Sequence, residues 1–458
     1  MFSMPSVIFY LKFTVSSKQI MAIPPTLGLR PILALAIPSA AFTILTNGYR
    51  VVDQYFSQGI SVDAQAAVGS STFVLIFFYA AFELLAAGAG PLIARATGAE
   101  DTVTRRALLG EALFGALLLT GVLMIVGIVG APLIATALGL KGPPAIECIR
   151  YLRMLFWTLL PLVLTPLIDQ SFISMGNART PMILHALSLS LNVILTPILI
   201  HTAGLGIAGA ALASNLARGA ATAIGLWQIQ QITGLKLTDL KVRGQLRRIV
   251  RIGAPIAIGT ACFALVYWGL LKTSVSPLGA HVNAALGIGF SALEGFTWPL
   301  FHGLSLGVAS LVGRYLGAGR PDLARQALLT AIPLSTFLGV TVSIVFFLGG
   351  ETLTAYFTQD PAVHQAATEY AVILAASQLF VAWEALSEGV LAGAGDTRTV
   401  FWYSAPFNLF RIPLAWALAF PLGFGAAGIW WAINLTTYAK AILKGWAAWR
   451  GRWAELVL

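Results

Sequence analysis

Asp53 is the residue with most chemistry to offer. It closes the segment Tyr49-Arg50-Val51-Val52-Asp53 inside a long apolar run. A carboxylate in such a run is costly, and by default it marks an ion or proton site. Desolvation and nearby cations act on its proton affinity in opposite senses. It is therefore suited to be charged in one state and neutral in another. Arg50 lies three positions earlier, on the same helix face. Two readings stay open for it: a lasting salt bridge that keeps Asp53 ionised, or a partner that releases it in one conformation. Further charges interrupt other apolar runs: Glu83, Asp169, Lys272, Glu294, Glu384, Glu388 and Arg411. Glu384 is one turn from Glu388 on the same face. Glu294 is a candidate contact for a cationic substrate, or a partner for Lys272 or Arg411. Trp298, Phe301, Trp383, Trp402 and Phe407 offer aromatic faces that suit flat amphipathic cations; helix packing or lipid contact is the plainer alternative.

Enzyme chemistry finds little support. There is no nucleotide loop, HExxH motif, cysteine cluster or nucleophile constellation. His185, His201, His281, His302 and His364 are scattered without metal-ligand spacing, and Cys148 and Cys262 are far apart. No cofactor or resident metal is expected.

The elements that carry these residues follow from composition. The chain is 58% hydrophobic and 10% charged, against roughly half and about a quarter in soluble proteins. Lipid must surround most of it. Twelve apolar runs approach the roughly 20 residues that a helix needs to cross a bilayer, at about 30–57, 66–94, 108–138, 149–174, 181–202, 206–231, 249–273, 282–312, 326–350, 367–392, 400–422 and 425–447. They are continuous and do not alternate, which favours helices over a barrel. The net charge of +10 comes from residues between the runs, so it reports topology and not a nucleic-acid partner. Arg95, Arg105, Arg106, Arg179, Arg314, Arg320, Arg325 and Arg398 fall on one side with the central stretch Lys236–Arg251. Lys440, Lys444, Arg450 and Arg452 were read with them. This places both termini in the cytoplasm, and a bacterial inner membrane is the expected host.

The chain also repeats itself at a shift of 219. Leu92–Gly98 matches Leu311–Gly317, Gly176–Thr180 matches Gly395–Thr399, Gly206 and Gly209 match Gly425 and Gly428, and Asn215 matches Asn434. Asp169 and Glu388 are equivalent, which points to a helix-end or interlobe role. Pro38 pairs with Pro255 at a shift of 217, and both are expected to bend their helices. The expected organisation is an N-terminal extension (1–29), an N-lobe (30–235), a cytoplasmic linker (236–251), a C-lobe (252–448) and a tail (449–458). Two parallel lobes can rock about an axis along the membrane normal.

At these motifs the chain resembles the MATE (multidrug and toxic compound extrusion) family. The pieces that carry the resemblance are Ile93–Ala99, Val312–Gly319, Gly206–Ala211 and Leu391-Ala392-Gly393-Ala394-Gly395-Asp396-Thr397-Arg398. Tyr49–Asp53, together with a seventh span that has no acid over Ile252–Leu271, is similar to the DinF-like branch. The resemblance implies an all-α membrane protein with two pseudo-symmetric six-helix bundles. It implies a cation-coupling cluster of Asp53 with Asn192, Thr196 and Ser214, modulated by Tyr49 and Arg50. Thr196 stands where many of that branch carry a second aspartate. With one carboxylate fewer, protons are favoured over sodium. The implied function is antiport that exports amphipathic or cationic organic compounds, by a chain functional as a monomer. The alternatives are a lipid-linked oligosaccharide flippase of the same superfamily and an integral membrane enzyme.

Overall fold

The computed structural model describes residues 27–57 and 60–458; at positions 50, 54, 57, 62–70 and 72–77 it describes the backbone alone. Most of the expected 1–29 extension and the side chain of Arg50 thus lie outside the described residues. Among those described there is no strand. The helices are α1 (Leu29–Ser57), α2 (Val62–Gly98), α3 (Thr102–Ala137), α4 (Pro143–Trp157), α5 (Leu160–Ser174), α6 (Arg179–Pro197), α7 (Ile207–Thr233), α8 (Gln245–Leu270), α9 (Ala280–Gly287), α10 (Glu294–Gly317), α11 (Pro321–Ala355), α12 (Pro361–Ala375), α13 (Gln378–Ala394), α14 (Thr397–Ala419) and α15 (Gly425–Arg450). The π-helical turns Ile198–Thr202 and Leu271–Val275 extend α6 and α8, and Ile288–Leu293 joins α9 to α10. Taking α4 with α5, α9 with α10 and α12 with α13 gives twelve rods, where the apolar runs lie. By length and apolarity alone, six continuous stretches among the described residues qualify as membrane spans, or eight with the bent pairs α4–α5 and α12–α13.

The internal repeat is visible as repeated physics. The two bends, 55° and 57°, fall at residues 158–159 and 376–377, which are equivalent to within one residue. A broken helix leaves carbonyls without their usual amide partners. Asn215 donates to the carbonyl of Leu155 at 3.0 Å and to Thr158 Oγ1 at 2.7 Å, and its equivalent Asn434 donates to the carbonyl of Ile373 at 2.7 Å. Gly206 and Gly425 both hold φ at 55° where their helices begin, a conformation that L side chains disfavour. A Cβ on Gly209 would stand 2.7 Å from the backbone of Leu199; one on Gly428 would stand 2.7 Å from the backbone of the equivalent Leu418. Pro38 and Pro255, by contrast, sit inside α1 and α8 without ending them.

The same symmetry builds the contact between the halves. Helix α2 packs on α8, and α10 packs on α1. Where α2 and α10 meet, a Cβ on Gly98 would collide with the carbonyl of Arg314, and one on Gly317 with the carbonyl of Arg95. Arg95 also donates to the carbonyl of Ala394 at 3.0 Å. These close approaches join the two halves at the end of the bundle that carries Arg95 and Arg314. The linker is held to the first half: Asp239 accepts from Arg106 at 2.6 Å, and Glu111 accepts from the Leu246 amide at 2.8 Å at the start of α8. Lys440 and Lys444 require a correction. They are buried within α15 and belong to no solvated basic tail.

Candidate functional site

Asp53, near the end of α1, is 5% exposed. Ser214 on α7 donates to its two carboxylate oxygens at 3.0 and 3.1 Å, and Tyr151 on α4 approaches Oδ2 at 3.4 Å. Asn192 on α6 donates to Ser214 at 3.0 Å and to Thr196 at 3.1 Å, and the Thr196 hydroxyl returns to the Asn192 carbonyl. Three helices therefore bring Asp53, Asn192, Thr196 and Ser214 into one network, and Tyr151 joins it from a fourth. Its direct donors are neutral, and among the described residues no cation lies within ion-pairing distance of Asp53. Asn192 Oδ1 is buried and has no donor among them.

One turn further along the same helices lies a second polar layer. It surrounds a small cavity of about 20 Å³ lined by Tyr49, Asp169, His185, Ser188, Arg218 and Thr222, among others. Tyr49 donates to Ser188, and the Arg218 guanidinium lies 3.8 Å from the centre of the Tyr49 ring. His185 Nε2 is 2.7 Å from Asp169 Oδ2. Its Nδ1 is 3.2 Å from Thr46 Oγ1, and its ring stacks on Phe42 at 5.4 Å. Asp169 thus pairs within its own lobe, not across lobes. Sequence reading missed Tyr151, His185 and above all Arg218. Arg218 had a signal: it follows Ser214 by four residues, on the same face of an otherwise small and apolar helix, and the rule that selected Asp53 applies to it equally.

The second half is built differently. Lys440 pairs with Glu384 at 3.1 Å, and Lys444 with Glu384 at 2.9 Å and Glu388 at 2.6 Å. Arg411 is buried and donates to Thr436 at 2.9 Å. Glu294 has Tyr370, Arg411 and Lys440 as its polar neighbours, and Lys272 lies over Trp268 instead. Glu83 accepts from Thr260 at 3.0 Å, which links α2 to α8. Of the expected cavity aromatics, Trp298 and Trp402 are exposed, and Phe407 is partly so. Phe301 is corrected: it is buried among Leu293, Val342, Phe346 and Ala371, so it packs and does not face open space. Trp383 donates to Thr336 at 3.0 Å.

This arrangement meets its relatives at the level of the whole chain. A family model described as MatE matches residues 38–198 and 255–417, once in each half. The chain belongs to the MatE family. Its members are transporters and not enzymes, and they are multi-pass membrane proteins. A probable multidrug resistance protein NorM of Pseudomonas putida is 30% identical, covering 94% of this chain and 96% of its own. A probable NorM of Thermotoga maritima is 26% identical over 93% of both. Solved structures share the fold. A MOP superfamily transporter from Pyrococcus furiosus has a TM-score of 0.84 at 19% identity, covering 93% of this chain and 96% of that one. The bent form of the Vibrio cholerae MATE transporter VcmN has 0.82 at 20%, covering 93% and 97%. The two matched segments of this MatE protein start at Pro38 and Pro255, the prolines that the repeat pairs.

Proposed function

We propose that this MatE protein is a proton-coupled antiporter that exports amphipathic or cationic organic compounds, with Asp53 as its proton carrier. One observation carries the reading: the buried Asp53 carboxylate is held by the hydroxyls of Ser214 and Tyr151, and among the described residues it has no cation within ion-pairing distance. A carboxylate locked to a buried base cannot be neutralised without stranding the base. Asp53 can take a proton and leave no such charge behind. Asn192, Thr196 and Ser214 orient it. Tyr49 joins α1 to α6 through Ser188, and Arg218 stands where Arg50 was considered as a modulator. Sodium is a weaker fit, because the nearest oxygens after Asp53 belong to neutral hydroxyls and one amide, while hard cations favour several charged oxygens.

The export of organic compounds is supported by the multidrug names of the relatives. Glu294, Trp298, Trp402 and Phe407 are the residues proposed to meet the solute. The joined end, which carries Arg95, Arg179, Arg314 and Arg398, is assigned to the cytoplasm, with both termini there, in a bacterial inner membrane. The proton network lies within one chain, so a monomer suffices. In proteoliposomes, an imposed pH gradient should drive saturable ethidium transport, while a sodium gradient at fixed pH should not. Strict dependence on sodium at fixed pH reverses the ion assignment, and transport that ignores both gradients removes coupling altogether.

A further inference from the structure

We propose that Asp169 and His185 form a second proton-binding site in the first lobe, separate from Asp53. The argument is a count of hydrogens. His185 presents Nε2 to a carboxylate oxygen at 2.7 Å, so a proton must lie between them. On its other side Nδ1 faces Thr46 Oγ1 at 3.2 Å. The Thr46 hydroxyl is also 2.9 Å from the carbonyl of Phe42, and in one orientation its hydrogen is donated there. Its single hydrogen is then spent, so Nδ1 must itself carry a proton to make that contact. The pair then holds one proton more than a neutral imidazole and a carboxylate. If the Thr46 hydroxyl turns toward His185 instead, Nδ1 becomes the acceptor, and the Phe42 carbonyl keeps its helical amide. Both states are fully bonded and differ by one proton and one hydroxyl rotation. No heavy atom moves. A purely structural ion pair needs no such rotor.

The setting suits exchange. The pair lines the small cavity of about 20 Å³ with Tyr49, Ser188, Arg218 and Thr222, room for about one water. The titratable and charged groups that face it are Tyr49 from α1, Tyr79 and Glu83 from α2 and Arg218 from α7. Phe42 stacks on the ring, and Arg218 stands in the same wall. Thr46 lies seven residues before Asp53 on α1, about 10 Å along the helix. Tyr49 lies between, under Arg218 and bonded to Ser188. Arg218 thus stands between two acids, and protonation of either changes what the other feels.

The pair's role in the transport cycle rests on the antiport reading above; its protonation does not. The test is ¹⁵N NMR of histidine-labelled protein in nanodiscs, over roughly pH 5 to 9. The chain has five histidines, and His185→Gln identifies the resonance. We expect His185 to pass from both nitrogens protonated to Nε2 protonated alone. Thr46→Val, which lacks the rotating hydroxyl, should displace that step. A His185 that keeps one protonation state throughout, or a step that Thr46→Val leaves in place, overturns the proposal. In proteoliposomes, His185→Gln should lower the protons moved per ethidium exported about twofold. An unchanged ratio overturns the pair's place in the cycle. Wild-type protein that moves no protons refutes antiport, while the NMR step still stands for the site itself.

Discussion

The shift of 219 lays one half of the molecule on the other, and the same helix faces then do opposite things. Thr165, Asp169, Ala221 and Gly225 in the first half correspond to Glu384, Glu388, Lys440 and Lys444 in the second. In the first half two of these positions are small, and a cavity opens beside Asp169. In the second, two lysine side chains fill that space and pair with two glutamates. The coupling layer inverts as well. Asn192 corresponds to Arg411, and Ser214 to Ile433, so one half is centred on an acid held by neutral groups and the other on a buried base. Duplication supplied one scaffold twice. Substitution then left a titratable hollow in one copy and a locked ion cluster in the other.

The sharpest way to break this contrast is Asp53→Asn. The amide keeps the size and can still accept from Ser214, so the variant should insert and fold, but it has no proton to exchange. Proton-driven ethidium export should fall more than tenfold, the scale set by losing an essential proton-transfer group. Near-normal driven export would move the coupling site elsewhere.

Stability should separate the halves next. Glu384→Gln strands Lys440 and weakens the hold on Lys444. Losing one partner of a buried pair costs about 3–5 kcal/mol, so the melting temperature of the purified protein should drop clearly. Asp169→Asn should cost about 1–2 kcal/mol at most, since His185 can shed its proton and keep a hydrogen bond. Equal losses would show that the first-half pair is as locked as the second. A symmetric control follows. Asn215→Ala and Asn434→Ala each remove a side-chain donor from a carbonyl at a bend, which costs about 1–3 kcal/mol, and the two losses should be of similar size. Strongly unequal losses would mean that the bends are held differently in the two halves.

The comparison also shows what a sequence can and cannot reveal. The rods, the repeat and Asp53 were legible because each is a local breach or pattern: an apolar run, a repeated glycine, a charge where none is cheap. Gly206, Gly209 and Gly98 were legible as matches, but only the backbone shows why they must be glycine. Lys440 and Lys444 misled, because a lysine near a chain end reads as a solvated charge until its glutamates, some 60 positions earlier, are seen beside it. His185 gave no signal at all. Its meaning lies in Asp169 and Thr46, on two other helices. Arg218 was legible by the same rule as Asp53, a charge in an apolar helix, but Arg50 is nearer in sequence and reads first as the partner of Asp53.

The smallest effect concerns a carboxylate outside the bundle. Asp239 in the linker accepts from the Arg106 side chain and from the Lys236 amide, with Arg243 nearby. The Arg106 hydrogen bond first, and the Lys236 amide after it, hold its carboxyl below the usual aspartate range. A depressed folded value means that the contact contributes above the unfolded value of about 3.9 and is lost as pH falls below it. Unlike Asp53, this group faces cations in direct contact and should behave as a fixed clasp at neutral pH. Hydrogen exchange over residues 236–248, corrected for intrinsic rates, should be level from about pH 8 to 5 and rise below about pH 4. Asp239→Asn should show the faster exchange above about pH 4 and converge with the wild type below it. If that segment loosens near neutrality instead, the clasp titrates with the bundle. The division between a fixed linker acid and an exchangeable core acid would then fail.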